Sequence, residues 1–151
     1  MRGHMTDPAT RTLRPYALPL LALAVAGFAA AWVLAALALE RQCAWLAPVA
    51  ALDMVVLLRF ARVAAGPARA LIAAAGTALT ILLANYGIAA AEVGRNMGLL
   101  PWASALRLGP DYAAILVGLA NGPAEWAWYV LALAGAAWGG LSGRRPAPSV
   151  H

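Results

Sequence analysis

Residues 15–39 read PYALPLLALAVAGFAAAWVLAALAL, without a single charge. A helix rises about 1.5 Å per residue, so this stretch can cross a hydrocarbon core about 30 Å thick with some tilt. Its apolar residues run on without the polar interruptions, at period 3.6 or 2, that a soluble core requires. It is also too long for the apolar part of a signal peptide. A second uncharged stretch, residues 70–91, reads ALIAAAGTALTILLANYGIAAA. Two weaker spans complete the reading. One covers residues 44–60 and contains Pro48 and Asp53. The other, residues 123–141, opens with Gly122 as cap, Pro123 in the first turn and Glu125 near the positive end of the helix dipole.

The sequence therefore predicts an all-α fold, a polytopic membrane protein built as a four-transmembrane-helix bundle. The expected organisation is a tail over residues 1–14, a membrane domain over 15–141 and a second tail over 142–151. Residues 1–4 read as a tag remnant, with Met5 the natural start. The outer loop, 92–122, should hold two short interfacial helices, about 101–108 and 110–120. Making residues 98–120 a fifth span would place Arg107 and Asp111 near the midplane, at about 2.5–3.5 kcal/mol for each charge.

Composition agrees. The chain is 64% hydrophobic and only 11% charged, roughly half the charged fraction of a soluble domain. The eleven basic residues are all arginine and sit at the ends of apolar blocks. Such arginines set topology, so the net charge of +5 carries no nucleic-acid signal. Placing the N-terminus inside puts Arg2, Arg11, Arg14, Arg59, Arg62, Arg69, Arg144 and Arg145 inside, and only Arg41, Arg95 and Arg107 outside. With the alanine- and arginine-rich bias, this points to a bacterial inner membrane with both termini cytoplasmic. Trp45, Trp102, Trp126, Trp128 and Tyr129 then fall at the outer interface and Tyr16 and Phe60 at the inner one, where amphipathic rings prefer to sit. Trp32 and Trp138 fall further in, as packing residues.

In lipid, helices associate through small residues. The third span carries such a stripe in Ala73, Gly76, Thr77, Thr80, Ala84 and Gly87. The fourth carries Ala132, Gly135, Ala136, Gly139 and Gly140. Both read as contact faces within the bundle.

Asp53 is the ionisable group deepest in an expected span, and such groups mark partners or pathways. Counting from Arg62 and Arg69 places it level with Thr77 and Thr80, so a hydrogen bond from a threonine hydroxyl to this carboxyl is expected. A second polar cluster, Asn85, Tyr86, Glu92, Arg95 and Asn96, with Arg107 and Asp111 nearby, should form a pocket beneath the interfacial helices. A lipid-like or quinone-like ligand under residues 98–120 would suit it. Cys43 is the sole cysteine and reads as a small buried residue. In loop layout the chain is similar to membrane oxidoreductases that make disulfides. Those need a cysteine pair in the first outer loop, so their chemistry is not expected here.

No phosphate loop, histidine pair or nucleophile–base motif is present in the sequence, and no cofactor or metal is expected. Three functions remain open. The first is a non-enzymatic subunit that binds a membrane-protein partner or a second copy of itself. The second is a small transporter, channel or ligand-binding module using Asp53. The third is an enzyme acting on a lipid or isoprenoid.

Overall fold

A computed structural model describes residues 17–143. The basic N-terminal tail, the expected span start at Pro15, Tyr16 and the Arg144–Arg145 pair lie outside the described residues. The fold is all-α, with six helices: α1 (Ala17–Leu39), α2 (Leu46–Phe60), α3 (Pro67–Met97), α4 (Pro101–Arg107), α5 (Pro110–Ala120) and α6 (Pro123–Leu141). Two of them, α1 and α3, are long and apolar enough to cross a membrane. At about 1.5 Å per residue, α2 is about 22 Å long and α5 about 16 Å.

Prolines set most helix starts. Pro67, Pro101, Pro110 and Pro123 each stand in a first turn, where a missing N–H costs nothing. The stops of α1, α2 and α3 share one device. Glu40, Arg62 and Gly98 adopt left-handed backbone with φ of 51°, 56° and 64°. The next residue then donates its N–H back five positions: Arg41 to Ala36 at 3.1 Å, Val63 to Leu58 at 3.1 Å and Leu99 to Gly94 at 2.8 Å. This is the Schellman closure, which satisfies carbonyls left open at a helix end.

The expected boundaries match closely for α6 and for the two short helices. The third helix departs from expectation by running six residues past Ala91, through Glu92 and Arg95 to Met97. Charge ends an apolar block but does not break a helix, and nothing before Gly98 does. Residues 98–120 are two helices, broken at Leu108–Gly109.

Helix α3 is the centre, touching each of the other five, while α6 packs on α2 and α3. The interior is made of small residues. Ala47, Ala50, Ala73, Ala84 and Ala136 are fully buried, with Thr77 and Thr80 among them. The large aliphatics face outward: Leu23, Leu34, Leu52, Leu71, Leu82 and Leu131 are all more than half exposed. Close approach depends on glycine. A Cβ on Gly87 would lie 2.7 Å from Val33 Cγ2, and one on Gly139 would lie 2.9 Å from Val55 Cγ2. A Cβ on Gly140 would fall on the backbone of Ala70.

Both expected stripes face the interior, with Gly76 and Gly87 half-buried and one residue outside. Gly135 is exposed and meets nothing within 4 Å, so the GxxxG pair is not the contact; the adjacent Gly139–Gly140 pair is. One aromatic expectation is corrected, at Trp138. Trp138 faces outward; Tyr129 is buried; and Trp32, 1% exposed, is buried as expected and donates from Nε1 to the Gln42 carbonyl at 3.1 Å. The indole needs an acceptor when buried, and the α1–α2 turn supplies one.

Arg69, read as a topology marker, is buried. Its guanidinium clasps the end of α6, donating from Nε to Gly140 O at 2.9 Å and from Nη2 to Gly139 O at 3.2 Å and Ser142 O at 2.5 Å. A cation at a helix C-terminus opposes the negative end of the dipole while satisfying its open carbonyls.

Two alanine substitutions separate packing from propensity. Gly140→Ala should destabilise the purified protein by about 1–3 kcal/mol through overpacking against Ala70. Gly27→Ala, in open space within α1, should be neutral or stabilising by up to about 1 kcal/mol. Thermal unfolding in detergent reads both, and equal effects would contradict the packing described.

Candidate functional site

The end of the bundle that carries the α1–α2 turn holds the polar groups. Asn85 lies on α3, Asn121 between α5 and α6, Tyr129 on the second turn of α6, and Gln42 in the α1–α2 turn. Asn85, Asn121 and Tyr129 are buried and Gln42 is half-buried. Asn85 Oδ1 accepts from Gln42 Nε2 at 2.6 Å and Asn121 Nδ2 at 2.9 Å. Asn85 Nδ2 donates to the Ile81 carbonyl at 2.9 Å and to Tyr129 Oη at 3.2 Å. Tyr129 donates its proton to Asn121 Oδ1 at 2.6 Å, and Asn121 Nδ2 also holds the Val117 carbonyl at 2.8 Å.

Every amide N–H of the two asparagines therefore has an acceptor, and the phenol both donates and accepts. In a low-dielectric interior a fully satisfied network of this kind fixes geometry. It ties the first turn, α3, the end of α5 and the start of α6 together at one point. The α6 start is held independently, since Glu125 Oε2 accepts from the Gly122 N–H at 2.9 Å.

Beside this network lies an open cavity of about 590 Å³, within the size range of small-molecule sites. Helices α1 and α5 do not touch each other, although both pack on α3, and the cavity fills the gap between them. Its floor includes Gln42 and Asn85 and its apolar walls Ile88, Leu116 and Val117. Its rim carries Glu40, Arg41, Glu92, Arg95 and Asn96. Arg95 lies 3.4 Å from Glu92 and 4.0 Å from Glu40, all three side chains more than half exposed. Arg41 makes no ion pair with the described residues. A smaller cavity of about 220 Å³ shares Arg41 and Gln42 and reaches Cys43, Trp45, Glu125 and Trp128. Cys43 is buried, as expected.

Asn85, Glu92, Arg95 and Asn96 thus come together as the sequence suggests. Tyr86 does not join them. Its hydroxyl donates to the Ala105 carbonyl at 2.5 Å and also lies 3.1 Å from that of Leu108, pinning the end of α4. Arg107 and Asp111 are exposed and do not line the cavity. Gln42, Asn121, Tyr129 and Trp32 escape sequence reasoning. Their signal is weak: a glutamine in a tight turn and an asparagine before Gly-Pro look like ordinary loop residues.

The expected hydrogen bond at Asp53 is not formed. Thr77 and Thr80 turn their hydroxyls back to the carbonyls of Ala73 and Gly76, at 2.8 and 2.9 Å. The depth estimate holds, because a Cβ on Gly76 would lie 2.9 Å from Met54 Sδ. The rotation does not: Met54 faces the stripe, and Asp53, about 100° around the helix at 3.6 residues per turn, is half-buried beside exposed Val49, Leu52 and Val56.

Among the described residues, no three of His, Cys, Asp and Glu gather as metal ligands would. The groups around the cavity are amides, carboxylates and guanidiniums, which hold polar groups by hydrogen bonds and charge. Tyr129→Phe should cost about 0.6–1.7 kcal/mol, the range for hydrogen bonds between membrane helices. Asn85→Leu should cost more, about 1–3 kcal/mol per polar group left unsatisfied. Thermal unfolding of both variants tests this, and an Asn85→Leu protein as stable as wild type would refute the network. No protein-family model, curated protein or solved structure matches the chain.

Proposed function

We propose that the chain is a small bacterial inner-membrane protein that binds an amphiphile in the cavity between α1 and α5. In this reading α1, α2, α3 and α6 cross the bilayer, both termini are cytoplasmic, and α4 and α5 lie at the outer interface. The leucine exterior over an alanine interior supports lipid as the surrounding medium, since soluble proteins rarely expose large contiguous apolar patches. The exposed Trp45, Trp102, Trp126 and Trp128 share the end assigned to the outer headgroups. The short α2 is accommodated by local thinning of the bilayer.

The observation that carries the binding reading is the cavity itself. Charged groups, side-chain amides and apolar side chains all line one gap between helices that do not meet. This mixed lining suits a molecule with a polar head and an apolar tail. Such a protein would carry, present or sense a lipid or isoprenoid. Wild type purified in mild detergent should retain about one such molecule per chain by native mass spectrometry. Ala120→Trp and Ala89→Trp, which fill the cavity from α5 and from α3, should lose it with helicity unchanged. Equal retention in all three would overturn the proposal.

A second reading, an assembly subunit, is favoured by Asp53. No described residue hydrogen-bonds to it, and it sits on the outward face of α2. A carboxyl so placed finds a partner on another membrane helix. Asp53→Leu should then shift the protein to a smaller species on native gels. An unchanged size would remove this reading.

A further inference from the structure

We propose that the ligand's headgroup is a zwitterion, a phosphate ester joined to an ammonium, as in an ethanolamine phospholipid. This rests on the binding reading above and adds the class of ligand. The rim holds two carboxylates, Glu40 and Glu92, and two guanidiniums, Arg41 and Arg95. Their charges cancel, so a net anionic or net cationic head would leave one sign of rim charge uncompensated. A zwitterion answers both.

The placement of the four groups gives the head a direction. Arg95 stands between the carboxylates, at 3.4 Å from Glu92 and 4.0 Å from Glu40. Exposed pairs at such distances contribute little, so an ammonium can take Glu40 while Arg95 stays with Glu92. Arg41 has no acidic partner among the described residues, and its backbone is fixed by its N–H bond to Ala36. It is the rim cation open to a phosphate. The C-terminal ends of α1, α3 and α5 all border the cavity, and each carries the negative end of its dipole. Inside the rim the potential therefore favours the ammonium. Gln42, whose Nε2 is committed to Asn85, has a side-chain carbonyl with no donor among the described residues. The tail then leaves between α1 and α5, along Ile88, Leu116 and Val117.

The test uses the full chain in nanodiscs of equal parts ethanolamine and glycerol phospholipid, with bound lipid counted by native mass spectrometry after release. Wild type should retain the ethanolamine lipid preferentially. The double variant Glu40→Gln/Glu92→Gln should lose that preference. Arg41→Gln should lower retention of the ethanolamine lipid by about two- to fivefold, the range for losing one exposed ion pair. Free phosphoethanolamine should compete poorly, because it lacks the tail; displacement by it at concentrations equal to the lipid would overturn the amphiphile assignment. Equal or greater retention of the glycerol lipid by wild type would overturn the zwitterion. Failure of Ala120→Trp and Ala89→Trp to release either lipid would instead overturn the binding reading on which this rests.

Discussion

The structure depends on how closely α3 can be approached. In the lipid setting proposed above, tails are as apolar as leucine, so burying leucine between helices gains little over leaving it outside. What remains is contact between backbones, and that requires small side chains. The chain answers with alanine, glycine and threonine along α3 and α6, and with leucine turned outward. At Gly140 there is no room for even one carbon beyond the backbone, because Ala70 occupies it. The same closeness lets Arg69 reach the last carbonyls of α6, so one contact sets both the packing and the capping at that end.

At the opposite end small residues give way to hydrogen bonds. The three helices and the turn that meet there have no common groove to interlock. Amides on three separate segments and a phenol on a fourth hold them instead. Their geometry is directional, which packing of alanines is not. A stripe of small residues permits sliding; Asn85, held by the turn on one side and by Asn121 and Tyr129 on the other, does not. The network thus fixes the register that the interior leaves loose, and it does so at the wall of the cavity.

Helix positions were legible because hydrophobic length, proline and glycine act locally. Pro123 and the apolar run after it define α6 without reference to anything else, and Pro101 and Pro110 do the same for α4 and α5. Rotation about a helix axis was less legible. In a chain so rich in alanine, the apolar pattern barely distinguishes one face of α2 from the next, so Asp53 was placed at the right depth and the wrong azimuth. Long-range polar contacts were not legible at all. Gln42 and Asn121 lie far apart in sequence and look like loop residues until α3 brings Asn85 between them. Arg69 stands at the start of an apolar helix, as its place in the sequence suggests, yet its guanidinium is engaged at the end of another helix.

The cavity follows from a mismatch of lengths. Helix α3 continues for six residues beyond its uncharged stretch, whereas α1 stops at Leu39, where Glu40 turns left-handed and Arg41 closes the last turn. The far end of α3 must be covered on one side at least, and Leu108 after α4 and Ala113 on α5 do this by packing with Ala90. Eleven residues of α5 lie along α3 without reaching α1. A longer α1 would close the gap, and a Schellman turn one helical turn later would put helix where Glu40 and Arg41 now turn at its border. The length of α1 therefore decides both that a space exists and which charges border it, so the stop at Glu40 is the local feature on which the site most directly depends.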